Sequence, residues 1–164
     1  MRALGVDLGE RRIGVAVSDS AGVIASPYTV LVRSGDPRAD RLELARVAVE
    51  TGAEVVVVGL PFSLSGGEGP AAKAAEREIE SLRGLLAVPV VAFDERLTTV
   101  EAARRRRERT AAGGGRGGSR ARRRDGGSGS QGGRRAGTVA GLPIDAEAAA
   151  VLLDAWLSLR RRDG

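Results

Sequence analysis

The sequence predicts an α/β domain built on a mixed five-stranded sheet, three antiparallel strands followed by two parallel strands, with flanking helices. Two observations lead to this prediction. The first third of the chain holds three short runs of apolar and β-branched residues separated by turn-forming residues, a pattern typical of a meander. Helical periodicity then alternates with two further apolar runs, which predicts parallel strands covered on both faces. The predicted element order is βββαβαβ followed by a terminal helix.

The opening strands are predicted at 3–8, 13–18 and 23–32. Residues 9–12 have a length suited to a hairpin turn, and residues 20–22 supply the second turn. We therefore expect these three strands to pair in an antiparallel meander.

The first helix is predicted at 37–51 and ends at Gly52. Its apolar residues Leu42, Ala45 and Val49 recur at helical spacing, while most charged residues lie elsewhere on the helical wheel. We expect these three residues to face the core.

Two strands and a second helix follow. The strand predicted at 54–60 contains four consecutive valines, which is typical of a strand buried on both faces. The loop 61–69 leads to Pro70, a favoured first residue of a helix. A second buried strand is predicted at 88–93. The apolar stripe of the helix between these strands is Ala72, Ala75, Ile79, Leu82 and Leu86.

The composition changes beyond the fifth strand. Thr98 or Thr99 is expected to cap a short helix that reaches Ala103. Residues 104–137 hold twelve Arg and eleven Gly against two acids, a net charge of +10, whereas the rest of the chain carries −5. We expect this segment to be a disordered insertion within a single domain spanning 1–164. The last helix has the apolar residues Ala148, Val151, Leu152, Ala155, Trp156 and Leu159, with Trp156 expected in the core.

Composition excludes several classes of protein. The 164 residues include no Cys and no His, which excludes Cys-His and Ser-His-Asp nucleophiles, zinc fingers, haem ligation and disulfides. Catalysis must then use carboxylates, hydroxyls, Arg, Lys73 or a metal ion. No apolar run is long enough to span a membrane, and Asp7 comes too early for a signal peptide. We expect a cytoplasmic protein with no membrane partner.

Acidic residues at two strands could carry the chemistry. Asp7 lies in an otherwise apolar strand, where a carboxylate is costly unless it is paired, hydrogen-bonded or bound to a metal. Backbone amides of the Gly9 turn are the structural alternative. Asp94 and Glu95 follow the second buried strand at its carboxyl end, where open α/β sheets usually bind ligands. Because strand side chains alternate, only one of these two can face the site, and pairing with Arg96 is the alternative.

A third acid comes from the last helix. Asp145 is placed near the core-facing side at the start of that helix, where it either points back to the sheet or caps the helix. Three carboxylates from the first strand, the last strand and the last helix would form an oxygen-only site suited to Mg²⁺ or Mn²⁺. Two such ions can activate water and stabilise the leaving oxygen in phosphodiester hydrolysis.

Four ordered blocks of the sequence carry a family resemblance. They are GVDLGERRIGVAVSD at 5–19, 58–61 with 66–71, 94–99, and 144–145 with 148–150 and 152–153. In this order they resemble the YqgF (RuvX-like) family of Holliday junction resolvase-like proteins and pre-16S rRNA nucleases, which has an RNase H-like fold. The resemblance covers residues 1–103 and 138–160.

The resemblance implies that Asp7, Glu95 and Asp145 are the catalytic and metal-binding acids, with Mg²⁺ or Mn²⁺ as the cofactor. Asp94 is the reserve for Glu95.

It also implies that Arg12, Arg96 and Thr98 bind substrate. The arginines would hold phosphate, for which a planar fork of donors is suited. A surface or helix-end charge is the alternative for each arginine.

The implied activity is that of a hydrolase: a metal-dependent endonuclease of the two-metal-ion type that acts in 5′-end maturation of the 16S rRNA precursor. Holliday junction resolution is one alternative, and a non-catalytic nucleic-acid-binding factor is another. The first strand also resembles actin-like sugar kinases, but those enzymes need two such lobes. The expected partners are pre-16S rRNA or branched DNA and ribosomal particles, with the chain a monomer or weak dimer. The +10 segment would bind phosphate backbone in a salt-dependent manner or serve no specific role.

Overall fold

The computed structural model describes residues 1–61, 69–94, 96–97 and 144–163. The short helix expected at 98–103 and the Arg/Gly segment at 104–137 lie outside the described residues. The strands are β1 (Ala3–Leu8), β2 (Arg12–Ser18), β3 (Ala25–Val32), β4 (Val55–Leu60) and β5 (Val90–Asp94). The helices are α1 (Pro37–Thr51), α2 (Pro70–Leu85) and α3 (Ile144–Asp163). This element order is the predicted one.

All five strands form one mixed sheet in the order β3-β2-β1-β4-β5. The pairs β1–β2 and β2–β3 are antiparallel, whereas β1–β4 and β4–β5 are parallel. Every residue of β4 is buried, as its valine run predicts. The predicted sheet is therefore confirmed, with β1 at its centre.

The third strand begins later than its sequence suggests. The apolar residues Val23 and Ile24 are exposed and precede β3. The Asp19 carboxylate accepts hydrogen bonds from both of their amides, at 2.6 and 3.1 Å. A side chain that binds the backbone in this way competes with strand pairing, so the turn extends to Ala25.

Helices cover both faces of the sheet. Because side chains alternate along a strand, Leu4 and Val6 lie on one face of β1 while Ala3 and Gly5 lie on the other. Leu4 and Val6 belong to a core cluster with residues of α1 and α2, such as Leu44 and Ile79. The opposite face packs against α3, whose Leu152, Leu153, Trp156 and Leu157 are buried there.

Helix α1 buries a different face from the predicted one. Leu42 and Val49 are 50% and 81% exposed, whereas the buried stripe is Asp40, Leu44, Val47, Ala48 and Thr51. Both stripes have helical spacing, so periodicity alone does not choose between them. Asp40 fixes the rotation, because its carboxylate accepts from the Ser34 amide and hydroxyl at 2.8 and 2.7 Å.

Helix α3 is longer than its apolar residues indicated, with 20 residues. Trp156 is buried, as expected, but Ala148 and Val151 are exposed and do not belong to the buried face. Among the described residues, no helix is both long enough and apolar enough to cross a membrane.

Candidate active site

Asp7 is the next-to-last residue of β1 and lies on the face that α3 covers, together with Ala3 and Gly5. Its side chain is half-buried, and no described residue donates a hydrogen bond or forms an ion pair with its carboxylate. The Gly9 amide donates to the backbone carbonyl of Asp7 at 3.2 Å and not to its carboxylate. The Gly9 turn therefore does not supply the hydrogen bonds that would make Asp7 an ordinary structural acid.

Asp145 reaches the same place from the other end of the chain. Helix α3 begins at Ile144, so Asp145 lies in its first turn and does not occupy the cap position. This turn passes over Gly14 of β2, where an added Cβ would overlap the carbonyl group of Asp145. Gly14 is in turn the cross-strand partner of Asp7. Residues 138 positions apart in sequence are thus brought side by side.

The negative charge of Asp145 acts on the Asp7 carboxylate. Burial, and secondly the negative charge of Asp145, raise the pKa of Asp7 above its ordinary value. Among the described residues, none donates a hydrogen bond or supplies a positive charge to the half-buried Asp7 carboxylate, which lies next to a second carboxylate. A bound cation would provide such a charge.

The donor set fits a hard divalent metal. Both acids offer only oxygen atoms, and the chain contains no His or Cys that would favour a softer metal. In the part of the chain that the structure describes, no group of three acidic side chains forms a metal site. The predicted third acid, Glu95, lies outside the described residues.

Asp94 does not join this pair. It is aligned with Leu60 of β4 and shares a face with Val90, on the α1 and α2 side of the sheet. Both of its carboxylate oxygens accept from the Arg96 guanidinium at 2.6–3.0 Å, and this pairing lowers the pKa of Asp94. Asp94 thus forms the strand-end ion pair that the sequence offered as the alternative.

The predicted phosphate-binding residues have different surroundings. Arg12 opens β2, is 57% exposed and has its Nη1 atom 3.7 Å from Oδ2 of Asp145. An exposed pair of this kind stabilises a fold little, so the guanidinium can exchange Asp145 for another anion at small cost. Arg96 is half exposed and bound to Asp94. Thr98 lies outside the described residues.

A further residue, Arg33, supports the site and was not predicted from the sequence. Arg33 follows β3 and donates from Nε to the Gly9 carbonyl at 2.8 Å. Its two other guanidinium nitrogens bind the Glu78 carboxylate of α2 at 3.0 and 3.1 Å. Arg33 thereby ties the turn after Asp7 to α2. Nothing in the sequence distinguishes Arg33 among the 25 arginines of the chain.

The sheet order and its helices define the class of the protein as RNase H-like. Among solved structures, it resembles Thermus thermophilus RuvC in complex with a Holliday junction substrate, with a TM-score of 0.57 and 17% identity, covering 98% of this chain and 96% of the other. It also resembles the yeast mitochondrial Holliday junction resolvase Ydc2, with a TM-score of 0.51 and 12% identity, covering 98% and 79%. At such identities the likeness defines the fold alone.

Sequence comparison then assigns the family. A model described as "RuvX: Holliday junction resolvase" matches residues 1–123, and the chain belongs to this family. A relative from Anaeromyxobacter dehalogenans, named "Putative pre-16S rRNA nuclease", is 40% identical over 160 residues, 98% of each chain. A relative of the same name from Chloroflexus aggregans is 48% identical over 99 residues, 60% of this chain and 69% of the relative. The family predicted from the four sequence blocks is confirmed.

Proposed function

We propose that this protein is a metal-dependent endonuclease that hydrolyses phosphodiester bonds in the 5′ region of the 16S rRNA precursor. The observation that carries the proposal is the pairing of Asp7 with Asp145 at the end of the central strand, with no described donor to the Asp7 carboxylate. Membership of the RuvX family and the names of its relatives support nuclease chemistry.

Asp7 and Asp145, with Glu95 as the proposed third acid, would hold Mg²⁺ or Mn²⁺. When bound, such ions supply an activated water and stabilise the leaving oxygen, in the two-metal manner. The half-buried position of Asp7 makes its charge more effective, because interactions between charges strengthen where water is partly excluded.

Arg12 is proposed to bind substrate phosphate. Its guanidinium lies beside Asp145 and is mostly exposed, so it is available to a phosphate that approaches the acids. Arg96 and Thr98 are proposed as further substrate-binding residues. For Arg96 this requires release from, or sharing with, the Asp94 carboxylate.

Two nucleic acids are candidate substrates. The relatives' names favour the 16S precursor, and ribosomal particles are then proposed partners. The description of the family model favours a Holliday junction, which is the second candidate. A non-catalytic binding factor is disfavoured, because such a factor would have no use for a second carboxylate placed where its charge opposes ionisation of Asp7. We propose that the chain acts as a monomer or weak dimer.

The Arg/Gly segment is proposed as an insertion in one domain that spans 1–164. Its net charge of +10 suits binding to the phosphate backbone without sequence preference. The segment would raise the affinity of the protein for any nucleic acid. The acidic residues of the candidate active site would determine which bound nucleic acid is cleaved.

The deciding experiment measures cleavage of a 16S-precursor 5′ leader RNA and of a four-way DNA junction by the wild type and by Asp7→Asn. Each reaction is run with Mg²⁺, Mn²⁺ or EDTA. We expect cleavage of the RNA that requires both the metal and Asp7. Cleavage of the junction alone would establish the second candidate. Binding of both substrates without cleavage of either would overturn the nuclease proposal.

A further inference from the structure

Gly14 lies between the two acids, as the cross-strand partner of Asp7 and directly beneath the first turn of α3. A Cβ at this position would overlap the carbonyl oxygen and carbon of Asp145 and would lie 3.1 Å from the Ala146 amide nitrogen. These are main-chain atoms, so no side-chain rotation can make room for a methyl group. Glycine in a strand often marks such a close approach of a second backbone.

A second glycine of the sheet, Gly5, also lies close to α3 and allows a comparison. At Gly5, two residues before Asp7 on the same face, a Cβ would be 2.7 Å from the Leu153 Cβ and 2.9 Å from the Ala149 carbonyl oxygen. The overlap at Gly14 is more severe. Of these two contacts between α3 and the sheet, the closer one is therefore at the first turn of the helix, the turn that carries Asp145.

We propose that Gly14 is a positioning residue of the metal site: by lacking a side chain it lets the first turn of α3 approach until Asp7 and Asp145 can hold the same cation. The proposal rests on the proposed function. A methyl group at position 14 would lift the turn by roughly 1 Å, and displacements of that size at a reacting centre cost about 100-fold in rate. Aspartate is short, so its carboxylate cannot follow the sheet once the helix backbone has moved.

The first test measures Mn²⁺ binding by titration calorimetry for the wild type, Gly14→Ala and Ile79→Ala, each at a temperature where it is folded. Ile79 is buried on the opposite face of the sheet, so its variant loses stability without moving α3. We expect Gly14→Ala to bind Mn²⁺ roughly 10–100-fold more weakly, as for lost supporting residues of metal sites. Ile79→Ala should bind as the wild type does. Wild-type affinity in folded Gly14→Ala would overturn the proposal.

A longer side chain provides a rescue. In Gly14→Ala with Asp145→Glu, the extra methylene compensates for the raised helix, and Mn²⁺ affinity should recover at least part of the loss. Absence of recovery would count against the proposal. Should Gly14→Ala not fold, Asp145→Glu alone carries the test, because with the helix held against Gly14 the extra methylene moves the carboxylate away from the position that Asp145 gives it. That variant should bind Mn²⁺ about tenfold more weakly or worse; wild-type affinity would contradict the positioning role.

A metal-free measurement separates this proposal from the proposed function. The chain has no cysteine, so Asp7→Cys with Asp145→Cys creates a single pair of thiols. A short bis-methanethiosulfonate reagent should cross-link this pair rapidly, and about tenfold more slowly after Gly14→Ala, in keeping with the sensitivity of close contacts to such displacements. Equal rates would show that Gly14 does not set the spacing. If the wild type binds no Mn²⁺ and cleaves nothing, the nuclease proposal fails, and the cross-linking rates still decide the role of Gly14.

Discussion

Asp7 illustrates a conflict between stability and chemistry at a single residue. Its raised pKa means that the folded protein binds a proton at this carboxylate more tightly than the unfolded chain does. Ionisation of this carboxylate, as the pH rises through its raised pKa, therefore destabilises the fold. A cation bound to Asp7 and Asp145 would reverse that effect by binding the native state alone.

Asp7→Asn is expected to reduce cleavage by more than about 100-fold and at the same time to raise the melting temperature in EDTA. The loss of activity exceeds what supporting residues of metal sites cost. The gain in stability arises because the neutral amide removes a half-buried charge and its repulsion from Asp145. Cleavage assays and thermal unfolding check both parts. A lower melting temperature would contradict this assignment of the charge.

Asp19→Asn is the matched control. Asp19 is an exposed acid whose pKa is lowered chiefly by hydrogen bonds from the Val23 and Ile24 amides. Its ionised form stabilises the turn, so the same chemical change should lower the melting temperature and leave cleavage unchanged. If both variants shift stability in the same direction, the contrast between the two acids is wrong.

Protonation of Asp40 is expected to account for part of the loss of stability of the protein at acid pH. Hydrogen bonds from Ser34, and to a smaller extent the Arg33 charge, lower the pKa of this buried carboxylate. Its contribution to stability is therefore present above the ordinary pKa of an aspartate and is lost as the pH falls through the lowered value. In urea unfolding between about pH 3 and 7, the free energy of unfolding should fall less steeply with decreasing pH in Asp40→Asn than in the wild type. An unchanged slope would exclude this role.

At the scale of single elements, α1 offers two apolar stripes, of which the fold buries one. Leu44→Ala should destabilise the protein by about 2–5 kcal/mol, because Leu44 is 1% exposed and a cavity would form. Leu42→Ala should stay within about 0.5 kcal/mol, because that side chain is half exposed. Denaturant unfolding of both variants checks the prediction. Equal losses would mean that the helix is rotated relative to the structure.

The same helix shows where prediction from sequence stops. Strand and helix positions follow from local patterns, and the valine run of β4 predicts its complete burial. The face that α1 buries depends on the Ser34–Asp40 hydrogen bonds, and the start of β3 depends on Asp19. Both depend on polar side chains that bind the backbone, and hydrophobic periodicity carries no information about such bonds.

The candidate site could be predicted in part. Asp7 is conspicuous as a charge in an apolar strand, and the start of α3 places Asp145 on its buried side. The sequence left Asp94 and Glu95 as alternatives, and the sheet register puts Asp94 on the far face. The role of Gly14 could have been suspected from the sequence, because a glycine inside a strand is unusual. No sequence pattern distinguishes Arg33 from the many other arginines of the chain.

At the scale of the whole molecule, charge is concentrated in the Arg/Gly segment. Replacing 104–137 by a neutral Gly/Ser linker of equal length should lower nucleic-acid affinity at low salt and reduce the slope of log affinity against log salt. The slope scales with the number of phosphates neutralised, by about 0.7 per phosphate for single strands. Fluorescence anisotropy at several salt concentrations measures it. A slope equal to that of the wild type would show that the segment does not bind the backbone.

The position of α3 in the chain has a consequence for synthesis. This helix covers one face of the sheet and brings Asp145, yet it follows the segment at 104–137. A nascent chain can pair all five strands while that face stays bare and only one of the two described acids is present. At a translation rate of about 5–20 residues per second, the ribosome needs several seconds to reach the helix after completing β5. The protein therefore cannot acquire its proposed nuclease activity until α3 has been synthesised and has packed on the sheet.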